Sequence, residues 1–264
     1  MPELPEVETV VRELRSQVIG KDISQIVSLR DGTVNDRREN VSEIGVVISV
    51  RRRGKYIIID TMNDVLLVHL RMTGKLIYAA EPGERSRFCR AEIHFKDGSL
   101  LYFDDVRTFG GIDILQKSEL DGALSKLGVE PFSDEFTPSY LQKRMRNRIA
   151  PVKSILLDQR EIAGLGNIYV CEILHRAGIS PKRSGGKLSL EEIEKIVKET
   201  RQVLSEAIDK NGTTISDYRR VDNKQGEFQN FLRVYGKKRC HCGEEIARIK
   251  QSGRSSYYCP SCQK

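Results

Sequence analysis

The sequence predicts an α+β, multidomain protein: an N-terminal antiparallel β-sandwich with an N-terminal helix, then a helical domain, then a small cysteine-bearing ribbon. Three observations lead there. Between residues 43 and 103, short runs rich in β-branched and aromatic residues alternate with turn signals. From residue 139 the apolar spacing changes to that of a helix. Four of the six cysteines fall in the last 25 residues, in two close pairs. A chain of 264 residues is long enough to bury two cores.

The first element is a helix ending near Gly20. Its start reads Met1-Pro2-Glu3-Leu4-Pro5-Glu6-Val7-Glu8-Thr9. Proline in the first turn costs no hydrogen bond, and carboxylates suit the positive end of the helix dipole. Removal of Met1 would leave Pro2 with a free secondary amine beside a carboxylate, a potential nucleophile. From these residues alone, a plain helix start is the better account. Strands follow at 43–50, 56–60, 65–70, 75–79, 91–95 and 100–103, punctuated by turns such as Lys96-Asp97-Gly98-Ser99. Residues 127–138, between helical and sheet patterns and bracketed at their end by Pro131 and Pro138, read as a linker region. Helices are predicted at 139–146, 151–157, 168–177 and 189–210, the last opened by the capping-box pair Ser189 and Glu192. Between the second and third of these lies Ile162-Ala163-Gly164-Leu165-Gly166-Asn167, a tight turn before a helix N-terminus. Such a turn offers backbone N–H groups and the Asn167 amide to a phosphate, or serves only to pack two helices.

Charge is unevenly distributed. Residues 1–140 hold 19 Lys and Arg against 23 Asp and Glu, whereas residues 141–264 hold 25 against 14. The basic half is a candidate polyanion surface, and charge alone does not choose among polyanions. It includes Tyr218-Arg219-Arg220, Lys237-Lys238-Arg239 and Arg254 in Ser252-Gly253-Arg254-Ser255, the tip of the expected ribbon. No stretch approaches the roughly 18 apolar residues of a membrane span, and no basic-then-apolar leader opens the chain, so a cytoplasmic protein with no membrane partner is expected. Cys89 and Cys171 are isolated and read as small buried apolar residues. Cys240-His241-Cys242, sixteen residues, then Cys259-Pro260-Ser261-Cys262 is close to a two-knuckle zinc ribbon with one structural Zn2+. The first knuckle has one residue between its cysteines where two are usual. Either a tightened turn brings all four sulfurs to the metal, or His241 replaces one of them; two disulfides or an empty site are the remaining options.

Taken together, Pro2 to Thr9, Arg53-Gly54-Lys55-Tyr56, His69-Leu70-Arg71-Met72-Thr73-Gly74, Asp105-Val106-Arg107-Thr108-Phe109-Gly110, the stretch from Asp158-Gln159 to Pro181 and the ribbon resemble the bacterial formamidopyrimidine-DNA glycosylases, in order and over nearly the whole chain. The N-terminal wording is nearer to this branch than to the related endonuclease VIII branch. The resemblance implies a helix–two-turn–helix domain in the second half. It also implies a bifunctional base-excision-repair DNA glycosylase and abasic-site lyase acting on oxidised purines in damaged double-stranded DNA, and a monomer. Pro2 is then the nucleophile, Glu3 the general acid and base, and Glu6 an orienting group, with Lys55 and Arg254 assisting elimination. His69, Lys153 and Asn167 are the implied phosphate clamps. Met72, Arg107 and Phe109 are the implied filling of the void left by the extruded base, and residues 215–228 the loop that covers that base.

The resemblance implies domains at 1–130, 139–231 and 232–264, with a linker at 131–138. Besides the short knuckle, this sequence departs from the family pattern at Phe88, where a DNA-contacting His is usual, at Ile149, where Lys is common, and at Cys171, usually Asp or Ser. Two other readings stand beside the first: a same-fold enzyme preferring oxidised pyrimidines, and a DNA binder without chemistry, which would have no use for a free Pro2 amine.

Overall fold

The structure, a computed structural model, describes residues 2–39, 43–215 and 218–264. The chain divides into two compact units, Met1–Ser125 with Lys210–Glu227, and Lys126–Asp209 with Phe228–Lys264.

The first unit opens with helix α1 (Leu4–Val18), which buries Leu4, Val7, Val10, Val11, Leu14 and Val18, the one-sided spacing of a helix packed on a core. Nine strands follow: β1 (Asp22–Ser28), β2 (Val34–Asp36), β3 (Gly45–Arg53), β4 (Tyr56–Thr61), β5 (Asp64–His69), β6 (Gly74–Ala79), β7 (Cys89–Phe95), β8 (Leu100–Asp105) and β9 (Gly111–Gln116). Their order is β2-β9-β5-β4-β3-β1-β7-β8-β6. Among the described residues, the strands of the two halves are hydrogen-bonded to each other only through the short β1–β3 pairing, Asp22 with Val46 and Ile23 with Gly45. They therefore fold face to face as a sandwich whose core combines Ile57, Ile59, Leu66 and Val68 from one half with Leu76, Ile93, Leu101 and Phe103 from the other.

The expected six strands are present, and three were not predicted. β1 has only Ile23 fully buried, so its apolar alternation is weak. β2 is three residues long, and β9 opens with Gly111, directly after Gly110. The sheet is also not wholly antiparallel. β2 pairs parallel to β9 at the edge; with six strands between them in sequence, no hairpin imposes a direction.

In the second unit, α3 (Pro138–Met145), α4 (Val152–Leu156), α5 (Asn167–Arg176) and α6 (Leu190–Asp209) precede the two-stranded ribbon β10 (Ala247–Gln251) and β11 (Arg254–Tyr258); a short α2 (Leu120–Leu124) ends the first unit. The Ser189 capping box forms as predicted: Glu192 N–H donates to Ser189 Oγ at 3.2 Å and Ser189 N–H to Glu192 Oε2 at 2.8 Å. No helix among the described residues is long and apolar enough to cross a membrane.

Two segments differ from expectation. The proposed linker 131–138 is packed within the second unit: Phe136 is fully buried, and the Arg201 guanidinium donates to the carbonyls of Pro131, Ser133 and Phe136. Lys210–Glu227, expected with the helices, packs with the sandwich unit instead. Its polar composition predicts a surface loop; its partners are acidic groups on α1, more than 200 residues away, which no local pattern encodes.

Glu172 on α5 is completely buried and accepts the backbone N–H groups of Arg233, Val234 and Tyr235 at 2.7, 3.0 and 2.8 Å. Each donor left unpaired in the interior costs about 1–3 kcal/mol. Glu172→Ala is expected to destabilise the chain by about 3 kcal/mol or more in urea unfolding, with Glu172→Gln, which keeps one acceptor oxygen, intermediate.

Candidate active site and metal centre

The N-terminus of α1 is built around one carboxylate. Pro2, Glu3 and Glu6 are all buried. Glu3 is the N-cap residue, and its backbone N–H donates to Glu6 Oε2 at 2.7 Å, one half of a reciprocal capping box. The other oxygen of Glu6 accepts the Thr213 N–H at 2.7 Å. That approach requires glycine at position 212: its φ is +77°, and an added Cβ would lie 2.9 Å from Glu6 Oε1. The same returning segment places Tyr218 Oη 3.3 Å from the Asn211 carbonyl. Burial, followed by the charge of Glu6, holds the Tyr218 phenol well above its ordinary pKa, so it stays protonated. Further along α1, Glu13 accepts from Arg220 and from the Val221 N–H. Residues 216 and 217 of the expected covering loop lie outside the described residues. Lys55 is buried at the β3–β4 turn, directly after Gly54.

Asp105 organises the loops that carry the remaining residues of this unit. Its buried carboxylate accepts the Thr73 hydroxyl, the Arg107 N–H at 3.2 Å and the Gly110 N–H at 2.8 Å. The turn 70–74 and the loop 105–110 are thereby joined, and Met72, Arg107 and Phe109 are left exposed. Phe109 is 58% exposed, with the Arg107 guanidinium 5.1 Å from its ring centre. Arg71 and Thr108 both have positive φ, 51° and 58°. A β-branched residue there is strained, and the Asp105 hydrogen bonds supply the restraint that holds it. His69, at the end of β5, stacks edge-on against Tyr56 at 4.5 Å. The Arg71 N–H donates to His69 Nδ1 at 2.9 Å, so the neutral ring carries its proton on Nε2. Burial, then the charges of Arg71 and Lys55, push its pKa down to about 3.

In the second unit, Lys153 and Asn167 converge on the ribbon. Lys153, almost fully buried, donates to the Ser255 carbonyl at 3.2 Å and to Ser256 Oγ at 2.6 Å; the Asn167 amide donates to the same carbonyl at 2.9 Å. Asn167 is the first residue of α5, after a turn tied by Gln159, which accepts from the Gly164 N–H and donates to the Leu165 carbonyl. Arg254 is exposed at the hairpin tip, next to the carbonyl that both residues hold. At the other end of the ribbon, the sulfurs of Cys240, Cys242, Cys259 and Cys262 all lie within 4.8 Å of one another. The Cys240–Cys262 and Cys242–Cys259 separations are 3.9 and 3.5 Å, close to the edge of about 3.8 Å for a tetrahedron with Zn–S bonds of about 2.3 Å. The short knuckle thus brings both its sulfurs to one point. His175, on α5, lies beside Cys240.

Comparison with known proteins agrees with this geometry. The formamidopyrimidine-DNA glycosylase N-terminal domain matches residues 1–112, the H2TH domain of the same enzymes residues 127–219, and the zinc finger found in FPG and IleRS residues 239–264. The formamidopyrimidine-DNA glycosylase of Pelotomaculum thermopropionicum is 42% identical over 100% of this chain and 99% of its own length. The chain belongs to the formamidopyrimidine-DNA glycosylase family. The family enzyme from Carboxydothermus hydrogenoformans is 40% identical over the full length of both. Among solved family structures, a Lactococcus lactis variant bound to DNA containing Fapy-dG superposes with a TM-score of 0.92 at 34% identity, covering both chains fully. The Lactococcus lactis protein with abasic-site DNA gives 0.91 at 32%, covering 99% of each.

The departures from the family pattern fall at different depths. Phe88 is half-buried with the Arg87 guanidinium over its ring at 4.7 Å, whereas Ile149 is 90% exposed. Cys171 and Cys89 are buried, and burial pushes the Cys89 thiol up to about 11. Both isolated cysteines are core residues. Sequence reasoning missed Asp105, Glu13 and His175 as individual residues. Asp105 was visible only as part of a quoted motif, and the other two carry no spacing signal.

Two outcomes follow. Asp105→Ala is expected to cost about 3 kcal/mol in urea unfolding, because it orphans buried donors, and Asp105→Asn less. For His69, the unfolded ring takes up a proton below about pH 6.5 while the folded ring does not until about 3. Folding therefore loses stability as pH falls through this window, by about 2 kcal/mol at pH 5, and His69→Gln is expected to remove that loss when unfolding is compared at pH 7.5 and 5.

Proposed function

We propose that the chain is a bifunctional base-excision-repair enzyme: a DNA glycosylase and DNA-(apurinic or apyrimidinic site) lyase that removes 8-oxoguanine and formamidopyrimidines from damaged double-stranded DNA. The observation that carries this reading is the buried Pro2-Glu3 pair at the start of α1, held by Glu6, in a member of this family. The solved relatives bound to Fapy-dG and abasic-site DNA agree with it.

Once Met1 is removed, the Pro2 nitrogen attacks C1′ of the extruded nucleotide. The N–C1′ bond forms, and the glycosidic bond breaks with its electron pair leaving on the base, which takes a proton. Glu3 protonates the ring oxygen O4′ as the sugar opens, and the result is an iminium between Pro2 and C1′. The iminium acidifies the C2′ proton; its loss expels the 3′ phosphate (β-elimination), and a second elimination expels the 5′ phosphate. Water then releases the sugar remnant and restores the amine. Glu6 holds Glu3 and Thr213 in register, Lys55 assists the first elimination and Arg254 the second.

Extrusion costs a few kcal/mol of stacking, which filling the vacated space offsets. Met72, Arg107 and Phe109 take that role, with the Phe109 ring as the apolar wedge. His69, whose fixed tautomer offers Nε2–H and whose charge does not change near neutral pH, binds phosphate together with Lys153 and Asn167. One structural zinc ion on Cys240, Cys242, Cys259 and Cys262 shapes the ribbon that presents Arg254. The enzyme acts as a cytoplasmic monomer that associates with the nucleoid when bound to DNA.

Borohydride trapping on a duplex with 8-oxoguanine opposite cytosine tests the mechanism. A covalent adduct is expected with the native chain and not with Pro2→Gly or with a form that retains Met1. A folded, DNA-binding native chain that gives neither adduct nor strand cleavage on 8-oxoguanine, formamidopyrimidine or abasic duplexes would overturn the proposal. A Lactococcus lactis relative is also solved with DNA containing an oxidised pyrimidine. Oxidised-pyrimidine duplexes therefore belong in the same panel, and slower excision than from 8-oxoguanine is expected. Chelation of the metal is expected to abolish DNA binding and to restore it on zinc return, read by fluorescence anisotropy.

A further inference from the structure

The metal-centre reading leaves one buried group unused. His175 lies in the last turn of α5, 4% exposed, 65 residues from the first knuckle in sequence. Its Nε2 is 3.3 Å from Cys240 Sγ, a normal N–H···S separation. Its Nδ1 is buried without a hydrogen-bond partner. A proton on Nδ1 would be an orphaned buried donor, whereas a proton on Nε2 points at the sulfur, so the local geometry selects the Nε2–H tautomer. Among the four sulfurs, Cys259 Sγ accepts the Cys262 backbone N–H at 3.4 Å, the common way a thiolate in such a knuckle is supported. Cys240 has its side-chain donor from a different element altogether. His175, Cys240 and His241 also form a group whose ligand atoms lie within 4.8 Å of one another, but the four sulfurs by themselves supply the four ligands of a closed site, and on that reading His175 stands outside the coordination sphere. His241 also approaches Cys240, with Nδ1 at 3.4 Å, but from the exposed side and from within the knuckle itself.

We propose that His175 is a positioning residue of the metal centre: its Nε2–H donates to the metal-bound Cys240 thiolate and fastens the one-residue knuckle to helix α5. This rests on the reading of the four cysteines as a zinc site. The consequence is mechanical as well as electronic. Helix α5 grips the ribbon at both of its ends, through Asn167 on the Ser255 carbonyl near the hairpin tip and through His175 on Cys240 at the base. The tip that presents Arg254 and the knuckle that binds the metal are thereby referred to one rigid element.

The test uses the full chain. Zinc affinity is measured by competition with a chromophoric chelator, and the coordination set by the absorption spectrum of the Co2+-substituted protein, for native, His175→Phe, His175→Gln and His241→Ala forms. Loss of an outer donor to a ligand typically weakens metal binding about 10–100-fold. That loss is expected for His175→Phe, with the four-sulfur Co2+ spectrum retained but its thiolate charge-transfer band shifted, partial recovery in His175→Gln, whose amide still donates, and no change in His241→Ala. Circular dichroism at saturating zinc identifies any variant that has merely lost its fold; in that case the His175→Gln comparison decides. Native affinity in both His175 variants overturns the proposal, as does a native Co2+ spectrum with nitrogen ligation that His175→Phe abolishes, or binding of two metal equivalents. A native chain that binds no zinc defeats the metal-centre reading itself, and the proposal with it; one four-sulfur zinc with unchanged variants defeats the role of His175 alone.

Discussion

The candidate active site depends on a single buried carboxylate with two occupied oxygens. Glu6 accepts the Glu3 N–H on one side and the Thr213 N–H on the other. The first bond makes the start of α1 a closed helix cap and keeps Pro2 and Glu3 at a defined place on the sandwich. The second brings a chain segment from more than 200 residues away against that cap. Burial of an ionised carboxylate is costly without such partners, so the cap and the returning segment stabilise each other through Glu6. Glycine at position 212 is the stereochemical condition for both, since any larger residue would meet the Glu6 side chain.

The same device recurs elsewhere. Asp105 joins two strained turns and so determines where Met72, Arg107 and Phe109 project. Glu172 gathers three consecutive backbone N–H groups ahead of the ribbon. In each case, one buried acceptor converts an irregular segment into a fixed one. Met72, Arg107 and Phe109 are therefore carried on backbone whose polar groups are already paired, so that backbone is ordered before anything binds.

Electrostatics divide along the same lines. Of the groups the proposed chemistry uses, Pro2, Glu3, Glu6 and Lys55 are buried. Arg107 and Arg254, by contrast, face solvent. His69 lies between these classes: burial keeps it neutral, and the backbone hydrogen bond to Nδ1 leaves its proton on Nε2.

The residues themselves determined the elements with strong local patterns. Alternation and turns revealed six of the strands, the one-sided apolar spacing of α1 and α6 revealed those helices, Ser189 and Glu192 marked a helix start, and two cysteine pairs marked the ribbon. Motif order, from Pro2-Glu3 to the knuckles, carried the family assignment. Tertiary structure alone decided the rest: the edge strand β2 and its neighbour β9, whose pairing is non-local; the packing of 131–138 under Arg201; the return of Lys210–Glu227 to α1; and the meeting of His175 with Cys240. Local sequence encodes backbone preference and which face of an element is apolar. It does not encode which distant donor a buried carboxylate or thiolate will find, because that choice is made by the packing of the whole core.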